Sequence, residues 1–108
     1  MTLRQKQSRF AYLLGILLVW IYAHKGWEVT LGEGHNDAQV GHMPGSLHYQ
    51  RLAQDLNLFI DGVYIASWHP VWEQIGEFWV NLDSLCRWGG HFDSKDYNHI
   101  SITEGGKA

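Results

Sequence analysis

The sequence predicts an α+β fold, a small antiparallel sheet flanked by helices, in a single domain over residues 1–108. Two stretches carry apolar residues at helical spacing, residues 3–25 and 69–85. Four shorter runs have strand character, residues 28–31, 52–59, 63–65 and 99–102. Two of these are joined by Asp61-Gly62, a dipeptide that suits the tight turn of a hairpin. A chain of 108 residues buries about 60–70% of the surface its unfolded form exposes, enough for one core.

The first helix, residues 3–25, begins amphipathic and becomes apolar on most faces, so it is expected to lie across the core. Lys25-Gly26 supplies a cation and a left-handed glycine for its C-terminus. Arg4, Lys6 and Arg9 ahead of the apolar run 10–23 also resemble the start of a signal peptide. That run is 14 residues long, short of the ~20 that cross a bilayer, and no small-x-small cleavage site follows. A buried helix is the expectation, without stable membrane insertion. Glu28 to Leu31 then forms a short strand. From Gly32 to Gly45 the glycines and Pro44 mark a loop long enough to suggest function. Along 52–59, Leu52, Leu56 and Leu58 share one strand face and pack on a helix, while Asp55 points the other way. The second helix runs from about His69 to Leu85, with Pro70 in its first turn and a stripe of Val71, Ile75, Phe78 and Leu82 widened by Trp72 and Trp79. Arg87-Trp88-Gly89-Gly90 ends that helix and turns the chain, residues 99–102 close the sheet, and 103–108 form a frayed tail.

Composition narrows the function classes. Eight Lys and Arg against eleven Asp and Glu leave a net charge of −3, which gives no footprint for nucleic acid. The single cysteine, Cys86, cannot close an intrachain disulfide. At the end of an apolar helical pattern it reads as a buried structural thiol rather than a nucleophile.

Two histidines and two aspartates hold the chemistry. His48, Asp55 and His99 have the ligand types of a catalytic zinc, which keeps a position open for water, and Asp96 is placed to handle that water's proton. His48 and Asp55 are seven apart, so they cannot share one face of a straight strand. His48 is therefore expected on the bend entering the strand. Asp96 and His99, three apart, fit a single turn. The competing readings are a loop histidine, a surface carboxylate and a turn aspartate, and His35, His42 and His91 compete as ligands.

Ser46-Leu47-His48 followed by Asp55 fits S-x-H-x(6)-D, and Trp88-Gly89-Gly90 followed by Asp96-x-x-His99 fits W-G-G…D/E-x-x-H. In both, and in SLHxxRLAxDLNLF, the chain resembles the zinc D-alanyl-D-alanine carboxypeptidases and L-alanyl-D-glutamate endopeptidases, the LAS group, which includes phage endolysins. The resemblance covers roughly residues 3–102. It implies the small α+β fold of D,D-peptidases and of hedgehog's zinc domain. It also implies Zn²⁺ held by His48, Asp55 and His99, with Asp96 as general base and acid and Trp88 packed beneath the metal. The substrate implied is peptidoglycan stem peptide. The enzyme would be a monomer, made in a bacterial cytoplasm and acting on the cell wall. Two departures stand out. Asn36 occupies the place of an arginine that often holds a substrate carboxylate, and Arg51 replaces a usual glycine. Arg51 or Ser46 is expected to anchor the carboxylate instead, unless Arg51 is simply an exposed cation. Trp68 or Tyr97 would line the groove. An endopeptidase, a D,D-carboxypeptidase and a zinc-stabilised wall-binding module all remain consistent with these residues.

Overall fold

The computed structural model describes residues 1–32 and 47–108, apart from the side chains of residues 48 and 49. It is an α+β fold of two helices and a five-stranded antiparallel sheet. The elements in chain order are α1 (Leu3–Tyr22), β1 (Trp27–Leu31), a 3-10 turn (Leu47–Gln50), β2 (Ala53–Ile60), β3 (Val63–Tyr64), α2 (Pro70–Leu82), β4 (Cys86–Trp88), a second 3-10 turn (Gly89–His91) and β5 (His99–Ile102). The glycine-rich loop expected over 32–45 lies outside the described residues beyond Gly32.

Among the described residues every strand contact runs through β2 or β5. One edge of β2 pairs with β1 from Leu56 to Ile60. Its other edge pairs with β5 at residues 53–55 and with β3 at residues 59–60. β4 closes the far side of β5. The β2–β3 connection is the Asp61-Gly62 turn, both residues at positive φ (51° and 79°) as a two-residue hairpin of this hand requires. The leucine alternation holds, because Leu52, Leu56 and Leu58 are all fully buried.

Both helices cover this apolar face. α1 starts at a capping box, Thr2 accepting from the Gln5 amide while the Gln5 side chain accepts from the Thr2 amide. Phe10, Leu13, Leu17 and Ile21 form its buried stripe. α2 is capped by His69, whose Nδ1 accepts from the Val71 amide, with Pro70 directly after it. Trp79 is fully buried between the helices and the sheet. Its Nε1 donates to the carbonyls of Arg87 (3.0 Å) and Ser101 (3.1 Å), fixing α2 over β4 and β5.

Three sequence expectations change. The second helix stops at Leu82 rather than Leu85, because Asp83 folds an Asx turn, its Oδ1 accepting from the Leu85 amide at 2.9 Å. Cys86 and Trp88 therefore belong to a strand that follows the helix, not to the helix end. Cys86 is still buried, and burial, then the Asp83 charge, push its thiol from 9.0 up to about 12. The C-terminal segment is not simply frayed: Glu104 bridges Lys107 and forms an ion pair with Lys6 at 3.1 Å. α1 is also shorter than expected, ending at Tyr22, with Gly26 at φ 83° beyond it.

Candidate metal centre

Sheet register brings the first two donors together. Asp55 of β2 and His99 of β5 are direct cross-strand partners, so their side chains leave the same face side by side. His99 Nδ1 lies 3.7 Å from Asp55 Oδ1. Two ligands at 2.0–2.1 Å from a tetrahedral ion stand roughly 3.3 Å apart, close to this spacing. His99 is buried and Asp55 half-buried. Along the same strand, two residues on, the buried Ser101 hydroxyl contacts His99 Nε2 at 3.0 Å. With Nδ1 turned to a cation, Nε2 carries the proton and donates to Ser101, which fixes tautomer and ring orientation. Sequence reasoning passed over Ser101. The signal was its place two residues after a candidate ligand on a strand.

Asp96 arrives differently, from an exposed turn. The His99 amide donates to the Asp96 carbonyl (3.1 Å), and the Asp96 amide donates to Gly89 (3.0 Å). A Cβ on Gly89 would strike that Asp96 carbonyl and crowd His99, so the turn can only sit this close against a glycine. Trp88 supports it from below. Its buried ring fills the space where a Cβ on Gly76 or Gly90 would lie, and its Nε1 donates to the Tyr97 carbonyl at 2.8 Å. The Trp-Gly-Gly sequence is thus the seat of the Asp96–His99 turn.

Asp55, Asp96 and His99 form a group that can hold a metal ion, with one donor atom from each lying within 4.8 Å of the others. One imidazole nitrogen and two carboxylate oxygens are donors that a divalent cation can use. His48 stands on the 3-10 turn immediately before β2, the entering bend its spacing required. That turn is tied down, the Leu52 amide donating to Leu47 and the Gln7 side chain to Gln50. The His48 imidazole lies outside the described residues, as do Ser46, Asn36, His35 and His42. The remaining histidines have other partners. His24 stacks on Trp27, His69 caps α2, and His91 lies 3.4 Å from Glu77.

Arg51 is exposed on the turn into β2 and adopts φ 59°, a left-handed conformation that favours glycine. Beside Asp96 a depression of about 230 Å³ opens along the edge of β2 between β5 and β3. Leu58, Tyr64, Ser67, Trp72, Asp96 and Tyr97 are among its walls. It is smaller than the ~300–1,000 Å³ of sites for drug-sized ligands. Trp68 packs on Tyr97 at its rim, ring centroids 4.7 Å apart. No family model matches the chain, and no curated protein matches it either.

Proposed function

We propose that this chain is a zinc-dependent peptidoglycan peptidase that hydrolyses the stem peptide, an L-alanyl-D-glutamate endopeptidase of the phage-endolysin type. The observation that carries the reading is the juxtaposition of Asp55, His99 and Asp96, with Asp96 also lining a neighbouring depression. It is supported by the order of the sequence motifs that supply those residues. The reading implies the hedgehog and D,D-peptidase type of fold, and the two helices and antiparallel sheet supply its α+β class.

In this reading His48, Asp55 and His99 hold Zn²⁺. When bound, the ion supplies a Lewis acid that brings water's pKa toward ~7. Asp96, exposed and outside the sheet, takes the proton from the attacking water at its carboxylate and returns it to the leaving nitrogen. Ser101 holds the His99 ring against rotation. The depression beside Asp96 seats the residue next to the scissile bond, and Arg51, Ser46 or Asn36 anchors a substrate carboxylate. The enzyme acts on the bacterial wall as a monomer.

Turbidity of purified cell walls tests this with the wild type, Asp96→Ala and chelator-treated protein. Clearing is expected from the wild type only, with loss of about 10²–10⁴-fold in the other two. Clearing that survives both treatments would exclude the mechanism. Mass analysis of released fragments then separates the readings, since a newly exposed glutamate amine marks an endopeptidase and free D-alanine a carboxypeptidase.

A further inference from the structure

The outward face of α1 is apolar where solvent would favour charge. Opposite the buried stripe, Tyr12, Gly15, Ile16, Val19 and Tyr22 recur at helical spacing over three turns. Tyr12 is 66% exposed, Val19 74% and Tyr22 55%. No Asp, Glu, Lys or Arg lies between residues 10 and 24. The stripe has a cation at each end, Arg4 and Lys25, both exposed. A shallow depression lined by Arg4, Ser8 and Tyr12 adjoins a second one lined by Tyr12, Gly15, Ile16 and Val19. Polar and apolar footholds thus lie along one line.

Charge is segregated in the same sense. Four of the eight Lys and Arg residues stand in the first 25 positions, and all eleven acids lie from Glu28 onward in a chain of net charge −3. Lys6 and Arg9 are held by Glu104 and Asp83 on the body of the fold. The helix is therefore a basic, apolar edge on an acidic protein.

We infer that this face of α1 docks on an anionic phospholipid surface, with Arg4 and Lys25 at the headgroups and Tyr12, Ile16 and Val19 against the upper acyl chains. No described helix is long and apolar enough to cross a membrane, so α1 lies on the surface. The exposed Tyr12 suits that boundary, a tyrosine ring meeting the apolar side and its hydroxyl the wet side. A second copy of the chain fits less well. A strip about 20 Å long and about 10 Å wide offers well under the ~800 Å² per partner of a standard interface. The inference does not depend on the metal centre.

Flotation of the full chain with vesicles rich in phosphatidylglycerol, and with vesicles of phosphatidylcholine alone, tests it. Binding is expected to the anionic vesicles, to weaken at ~0.5 M salt, and to fall about tenfold or more in Val19→Asp. Arg4→Glu combined with Lys25→Glu should remove the preference for anionic lipid. Circular dichroism of each variant confirms the fold, since these side chains are exposed. Wild-type protein that floats with neither vesicle, or Val19→Asp binding as well as wild type, would overturn the inference. A concentration-dependent dimer abolished by Val19→Asp, without lipid binding, would assign the face to a second copy instead.

Discussion

The two carboxylates of the candidate metal centre are held by different means. Asp55 is fixed by a strand register, half-buried and level with His99 across the ladder. Asp96 rides on an exposed turn whose position depends on Gly89 and on the Trp88 ring between Gly76 and Gly90. Rigid, partly dry surroundings suit a permanent ligand. In the proposed reading, a solvent-facing carboxylate on a buttressed turn is the one within reach of substrate.

Substituting each carboxylate is the sharpest way to break the contrast. Asp55→Ala should lower metal affinity on the order of 10³-fold, about 4 kcal/mol. Asp96→Ala should keep its metal while hydrolysis falls about 10²–10⁴-fold. Equal metal loss in the two, by calorimetry and metal analysis, would make Asp96 a ligand and erase the distinction. Trp88→Ala removes the buttress and should cost about 3–5 kcal/mol in urea unfolding. Trp88→Phe keeps most of the bulk but loses the bond to Tyr97, so hydrolysis should suffer more than metal affinity.

On the strand side, Ser101→Ala should weaken metal binding by roughly 10–100-fold with little change in urea midpoint. Arg51→Gly relieves a left-handed conformation and should stabilise the fold by about 0.5–1 kcal/mol. If the guanidinium also anchors substrate, KM rises while the protein grows more stable. The smallest effect at neutral pH concerns Cys86. Its folded pKa is raised, so stability is constant below about 9 and declines as pH climbs toward about 12. Denaturation at stepped pH and inertness of the native thiol to a disulfide reagent near neutrality check this.

The strand side of the site was far more legible in sequence than the turn side. Alternation along 52–59 put Asp55 opposite the buried leucines, and the closing strand supplied His99. The first follows from period two alone, the second from the strand character of residues 99–102 and the ligand type of His99. The support beneath Asp96 was hidden, because Gly76 sits inside an apolar helix and meets Trp88 only after the chain reverses. The end of α2 was misread for a related reason. Leu85 and Cys86 continue the apolar pattern of the helix although Asp83 and Ser84 have already turned the chain. A hydrophobic pattern records burial, and here strand and helix bury against the same core. Arg51 gave no sign of its positive φ except by standing where relatives of the resembled group place glycine.

Because Asp55 and His99 belong to neighbouring strands, an ion held by both would act as a cross-link across β2 and β5. The folded state alone presents that arrangement, so free metal at about 1,000 times its dissociation constant would add about 4.1 kcal/mol to stability. Thermal midpoints should then climb with metal concentration, and amide exchange in β2 and β5 should slow before any other part of the sheet responds.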